Sequence, residues 1–319
     1  MKKIVINDRI YGKFEITSPI ILELILSKPV QRLKKISQMG PPNKYYHVKG
    51  YSRYEHSIAV MLLLKHLGAS EEEQVAGLLH DISHTAFSHV IDWVFGSGHK
   101  EDFQDKQHVD FFLKTEVKEI LKKYGFNPLK ISQNKNFSFL DNELPDLCAD
   151  RIDYSIKEFP FQIAKKCFID LITYKNKIVF NNQSNAKLFA VNFLKRQEVH
   201  WGGYEAVARY YLFSRVLKFA LDNKLIHLTD FNRDEEYILK KVESIEDKQI
   251  KKILQLLQKK DLSKLPKSKK TVQKKFRYVD PQFLKNGKLY RLSETDSEFK
   301  IKIELAKKDN KKGINTPIV

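Results

Sequence analysis

The sequence predicts a mostly α-helical fold, on three observations. Apolar residues recur at helical spacing through most of the chain, capping signatures open and close those stretches, and alternating runs are few and short. The chain opens with Ile4-Val5-Ile6 and Phe14-Glu15-Ile16 around Tyr11-Gly12, which predicts a short β arm. From Pro19 the spacing turns helical, through Ile21, Leu24 and Ile25 and then Leu33 and Ile36, until Met39-Gly40-Pro41-Pro42-Asn43 breaks it. Arg53 to His66 reads as a helix closed by Gly68. Ser70 and Glu73 then form a capping-box pattern, and the helix they start is expected to run through Val75, Leu78, Leu79 and Ile82 towards Val94, ending near Gly96. Further helices are expected over 105–123, 143–158 and 185–221, the last broken near Trp201-Gly202-Gly203. Lys177–Phe180 predicts a short strand, and Leu289–Leu292 with Phe299–Ile303 read as two more. The division expected is a helical domain over 1–230 and a small, basic α+β accessory region over 231–319.

Charge supports that division. The 319 residues carry 57 Lys and Arg against 39 Asp and Glu, a net charge of +18. Residues 1–160 hold 22 basic and 21 acidic side chains, whereas 161–319 hold 35 and 18. Within the second half, 251–277 has ten lysines and Arg277 against the single acid Asp261. Such a run points to an anionic partner, nucleic acid among them, or simply to a solvated linker. Aromatics near it are few, chiefly Phe276 and Tyr278, so a base-stacking platform is weakly indicated. Apolar residues make up 42% and aromatics 12%, ample for a packed core. Two cysteines, Cys148 and Cys167, exclude a disulfide framework and a Cys-rich zinc module. No stretch has the length of a membrane span or the pattern of a signal peptide, so a soluble, cytoplasmic setting without membrane contact is expected.

The densest cluster of chemistry-bearing side chains is His80-Asp81-Ile82-Ser83-His84-Thr85-Ala86-Phe87-Ser88-His89, followed by Asp92. On the helix expected there, residues three, four and eleven apart share a face, which lets Asp81, His84 and Asp92 point together, with His80 and His84 four apart. A single histidine on an apolar helix is ordinarily a satisfied core residue. Three histidines and two aspartates in thirteen positions are costly to bury unless they converge on a metal or a substrate. The spacing His80-Asp81-x-x-His84 superficially matches a zinc-protease helix, but the acid is Asp where that chemistry uses Glu. No GxxxxGK[ST] loop is present.

The blocks Arg53-Tyr54-Glu55-His56-Ser57, His80-Asp81 and Ala149-Asp150-Arg151-Ile152-Asp153-Tyr154 resemble the H…HD…D signature of the HD-domain phosphohydrolase superfamily. Within it, the likeness is to the deoxynucleotide triphosphohydrolase branch, and it runs from Ile10-Tyr11-Gly12 through Gln31-Arg32-Leu33 and Gln38-Met39-Gly40 to about residue 160. The resemblance implies an HD-type helical core in which His56, His80, Asp81 and Asp150 ligate a divalent transition metal (Mn, Fe, Zn or Ni), with Mg accompanying the substrate. It further implies that Arg53 approaches the substrate phosphates, that His84 and His89 line the phosphate side, and that Asp92 orients a catalytic histidine. His108 is the match for that histidine, with His99 second. Gln38 falls where such enzymes read the sugar 3′-hydroxyl, Tyr154 where they stack on the deoxyribose, and Arg209 where a later helix supplies a phosphate contact. After Arg209, Leu217 and Phe219 replace the Tyr and His usual in that branch. Homo-oligomers are common there, so one is expected.

The leading expectation is therefore a metal-dependent phosphohydrolase acting on nucleotides, in its specific form a deoxynucleoside triphosphate triphosphohydrolase releasing nucleoside and triphosphate. The enzymatic alternative is a phosphomonoesterase or phosphodiesterase, including nuclease action. The non-catalytic alternative is a nucleotide- or nucleic acid-binding regulator on a degraded scaffold.

Overall fold

Helices carry most of the packing in the computed structural model, which describes residues 3–319. The chain begins with the expected hairpin, Ile4–Asp8 against Gly12–Ile16 in antiparallel register. The central helix is Arg53–His66, buried nearly all round. Its start is fixed by a complete capping box: the Ser52 hydroxyl accepts from Glu55 N at 3.2 Å, and the Glu55 carboxylate accepts from Ser52 N at 2.7 Å. That cap sets the first turn, which carries Arg53 and His56. The helices Glu71–Leu79 and Ala149–Ile156 pack against this element.

The apolar side chains form two clusters. One joins the hairpin, the central helix and residues 112–201, and it also takes in Val279, Phe283, Leu292, Phe299 and Ile303. The other gathers Met39, Tyr45, Phe87–Val94 and the long helix Tyr204–Asp222 with residues 226–262. The region expected to be an accessory therefore shares the core of the helical body. Its strands Gln282–Lys285 and Lys288–Arg291 extend Leu171–Tyr174 and Lys177–Phe180 into a four-stranded sheet, with Phe283 parallel to Phe180. Lys267–Val272 pairs with Ile314–Pro317 in a separate two-stranded ribbon. Among the described residues no helix is long and apolar enough to cross a membrane.

Four expected elements differ. The helix predicted to run towards Val94 ends at Leu79; His80–His89 is an irregular loop and only Val90–Val94 is helical again. Phe87 and Ser88 take left-handed φ values of 64° and 49°, and no glycine or proline in the sequence announces that break. The 105–123 helix divides into Phe103–Leu113 and Val117–Lys123. The 143–158 helix starts only at Ala149 and ends at Ile156. Phe299–Ile303 is part of the helix Ser297–Lys312, capped by Asp296. Its buried residues are Phe299, Ile303 and Ala306, at helical spacing, while the exposed Ile301 created the false alternation.

Candidate active site and metal centre

A cavity of about 340 Å³ lies at the seam of the two apolar clusters, with Leu140, Tyr154 and Trp201 on one wall and Met39, Tyr46 and Tyr210 on the other. Its floor is built by the first turn of Arg53–His66, the loop after Glu71–Leu79, and the first turn of Ala149–Ile156.

Those three segments bring His56, His80, Asp81 and Asp150 together. His56 Nε2 and His80 Nε2 are 3.3 Å apart, and Asp150 Oδ1 lies 2.9 Å from the first and 3.7 Å from the second. Asp81 closes the group, 3.8 Å from His56 Nε2 and 3.5 Å from His80 Nε2. The other ring nitrogens are occupied. His80 Nδ1 meets Gly77 O at 2.7 Å, so it carries the proton, and His56 Nδ1 meets the Asp153 carboxylate at 2.7 Å. Once His56 Nε2 gives up the proton it shares with Asp150, as metal binding requires, two nitrogen lone pairs and two carboxylates converge on one point. That donor set fits a divalent cation, and the buried His56, His80 and Asp81 form a candidate metal-binding group. The field there favours positive charge: burial opposes a charged ring, yet hydrogen bonds to Asp150 and Asp153 outweigh it and push His56 up to about 9.

Asp153 was within the motif, but its part was not foreseen. It accepts from Tyr11 Oη at 2.7 Å as well as from His56, and it is fully buried. The Tyr11–Asp153–His56 chain fixes the ring of a candidate ligand, the usual work of an outer partner. Asp153→Ala is expected to weaken metal affinity by about 10–100-fold; competition against a fluorescent chelator measures it, and unchanged affinity would remove Asp153 from this role.

Arg53 stands beside the group, donating from Nη1 to Asp81 Oδ2 at 2.6 Å and from Nε to Ser88 Oγ at 2.8 Å. The left-handed turn at Phe87–Ser88 places that hydroxyl. His84 Nε2 lies 3.2 Å from Asp81 Oδ1, and burial together with Arg53 holds its ring well below the usual histidine range. His84, His89, Gln38 and Tyr154 all line the cavity. The buried Gln38 Oε1 has no hydrogen-bond partner, and Tyr154 packs edge-on against Trp201. Gly40 makes the Gln38 loop possible: its φ is +85°, and an added Cβ would come within 2.3 Å of the Tyr210 hydroxyl.

Three expectations are corrected. His108 does not pair with Asp92: its Nδ1 meets Ser83 Oγ at 2.7 Å behind the cavity, and burial holds its ring down at about 4. The residues of the Phe103–Leu113 helix that reach the cavity are Gln104 and Asp105. Asp92 instead caps that helix through Asp102 N and Phe103 N, both at 3.0 Å, and its Oδ2 lies 3.6 Å from His89 Nδ1. His99 lines a separate cavity with Trp93 and Arg215. Arg209 does not reach the site. Fully buried, it donates to Tyr45 O, Leu257 O, Lys259 O and Glu205, so its guanidinium is spent tying the Tyr204–Asp222 helix to its neighbours. Sequence reasoning also missed Lys274, Lys275 and Arg277, which line the cavity from the far end of the chain.

A model of the HD domain family matches residues 53–155, the span that supplies Arg53 and all four candidate ligands. Over 334 aligned positions the chain is 31% identical to Uncharacterized protein YdhJ of Bacillus subtilis, covering 98% of this chain and 99% of that protein. It is 36% identical over 155 residues to Metal-dependent phosphohydrolase cns2 of Cordyceps militaris, covering 49% of this chain and 45% of that one. It is also 36% identical over 106 residues to Deoxynucleoside triphosphate triphosphohydrolase SAMHD1 of Homo sapiens, covering 28% of this chain and 17% of that one. A full-length relative, a matching family model and a convergent H…HD…D ligand set agree, and the chain belongs to the HD-domain superfamily of metal-dependent phosphohydrolases.

Proposed function

We propose that the protein hydrolyses nucleotides, and specifically that it cleaves deoxynucleoside triphosphates between the α-phosphate and the sugar 5′-oxygen, releasing nucleoside and inorganic triphosphate. The observation that carries this reading is one cavity lined by Arg53 and by His80, Asp81 and Asp150, with His56 buried beside them, and also by Gln38, whose amide oxygen is unpartnered, and by the Tyr154–Trp201 aromatic pair. The local likeness to SAMHD1 supports it.

His56, His80, Asp81 and Asp150 would hold the divalent metal, a transition ion such as Mn, Fe, Zn or Ni, which supplies Lewis acidity at a phosphoryl oxygen. Arg53, locked by Asp81 and Ser88, presents a fixed positive charge to the phosphate. Gln38 accepts from a sugar hydroxyl, and Tyr154 covers the sugar face. Water adds at the α-phosphorus, and the departing 5′-oxygen needs a proton. His89 would supply it: it lines the cavity, and its Nδ1 lies 3.6 Å from Asp92 Oδ2. In this assignment the His89–Asp92 pair takes the role expected of His108.

His89→Ala is expected to lower kcat by about 10²–10⁴-fold, while His108→Asn, which keeps a polar group towards Ser83, stays within about threefold. The reverse order would return the acid to His108. The reaction itself is tested by incubating metal-loaded protein with a panel of nucleotides and following phosphorus NMR. Inorganic triphosphate with free nucleoside is expected. Orthophosphate as the sole product would make the enzyme a phosphomonoesterase, and activity confined to oligonucleotides a nuclease.

A further inference from the structure

We infer that the segment Lys274–Arg277, delivered from the C-terminal ribbon, is the polyphosphate-binding wall of the active site. This rests on the reading that the cavity takes a phosphate ester of a nucleotide, and it assigns the part of the cavity that holds the phosphates beyond the one at the metal.

The argument starts from the charges that face the cavity. Six carboxylates line it, those of Asp81, Glu101, Asp105, Asp141, Asp150 and Glu158. A metal at the four-ligand cluster offsets part of that negative charge, yet a substrate bearing several phosphate charges needs more cations than the metal alone. Five cationic side chains are available, Arg53, Arg151, Lys274, Lys275 and Arg277. Arg53 is committed to Asp81 and Ser88. Arg151 is committed to Asp146 O at 2.5 Å and Asn142 O at 3.1 Å. Arg209, the expected helical phosphate ligand, is spent on backbone carbonyls and Glu205. With Arg53 fixed at the metal end, the cations left for further phosphates are Lys274 and Lys275, which have no carboxylate partner among the described residues, and Arg277, which has N–H donors beyond its Glu101 pair; all three lie in one tetrapeptide.

Lys274 is the most informative of them. It is 7% exposed, and among the described residues its ammonium has neither a hydrogen-bond acceptor nor a carboxylate within salt-bridge distance. Its nearest compensation is the face of the Tyr210 ring, 3.8 Å away. Burial pulls this ammonium down to about 8. Glu101 and Glu158 act on it only at a distance, and a buried cation without a direct ion pair gains most when an anion enters the cavity it faces. Arg277 anchors the segment through an ion pair with the buried Glu101, whose carboxyl is held at about 2 because that guanidinium outweighs burial. Its remaining N–H donors stay available. Lys275 is solvent-exposed at the rim. The hold on the segment comes from both sides: Arg277 N meets Gln197 Oε1 at 3.2 Å, and the preceding strand pairs with Ile314–Pro317.

The test is calorimetric titration of the full-length, metal-loaded protein with inorganic triphosphate and, separately, orthophosphate. The exposed Lys275→Ala should weaken triphosphate about tenfold, and the volume-conserving Lys274→Met combined with it about a hundredfold. Orthophosphate, held at the metal end, should change less than about threefold in either. Metal stoichiometry confirms that each variant is folded. Triphosphate affinity equal to wild type in both metal-replete variants would overturn the inference. The two readings separate cleanly: lost triphosphate binding in the variants, with no nucleotide hydrolysed by wild type, leaves the wall in place and removes the proposed reaction. Nucleotide hydrolysis with unchanged KM in both variants does the opposite.

Discussion

His80→Ala is expected to empty the metal site and to lower nucleotide hydrolysis by about 10³-fold or more, since a bound cation supplies several kcal/mol of transition-state stabilisation. The geometry explains why the effect should be large. Its Nδ1 proton is taken by Gly77 O, so Nε2 has one task, to face the lone pair of His56 at 3.3 Å. Each of the two nitrogens lies within 4 Å of the other and of the flanking Asp81 and Asp150 carboxylates, close enough to serve one cation. Removing one ligand leaves three, among them Asp150, whose side chain is 39% exposed and held less firmly. Elemental analysis of purified wild type and variant, beside activity, checks this. A variant that retains one equivalent of metal and full activity contradicts the assignment of the cluster.

The second large effect concerns stability. Arg209→Ala should destabilise the fold by about 3–5 kcal/mol, the range for breaking a buried, hydrogen-bonded charge pair. That is a large fraction of a total stability of about 5–15 kcal/mol. Arg209 joins the Tyr204–Asp222 helix to Tyr45 O at 3.0 Å, Leu257 O at 2.7 Å and Lys259 O at 2.6 Å, and its own helix supplies Glu205. The alanine leaves three carbonyls and one carboxylate without their donor. Urea unfolding measures the loss as a shift of midpoint. Unaltered stability together with a selective loss of triphosphate affinity would put Arg209 back among the substrate contacts.

The meeting of His56, His80, Asp81 and Asp150 was legible because motif chemistry needs specific side chains in order. The helical core was legible through periodicity and caps: Ser70, expected to start a helix, does accept from Glu73 N at 3.2 Å, whereas the complete Ser52–Glu55 box was not singled out. What was not legible has physical reasons. The helix ends at Leu79 with no glycine or proline following to mark it, and the loop beyond turns through positive φ at the non-glycine residues Phe87 and Ser88, so local propensity gave no warning of the turn that brings Ser88 to Arg53. His108 and Arg209 are the residue types expected at a phosphate site, but residue type does not say which face of a helix meets the cavity. Ser83 and three backbone carbonyls claim them instead. The wall at Lys274–Arg277 is far in sequence from His56, and only the folded chain brings the two to one cavity. The basic excess of the second half was visible from the start. Most of it lies on the surface, while Lys274 and Arg277 are drawn inside.

Anomalous scattering from crystals of the protein loaded with manganese, iron, zinc or nickel tests the central claim most directly. One peak per chain is predicted, within about 2.0–2.2 Å of His56 Nε2, His80 Nε2 and oxygens of Asp81 and Asp150. A peak bound by other residues, or none at saturating metal, would contradict the account.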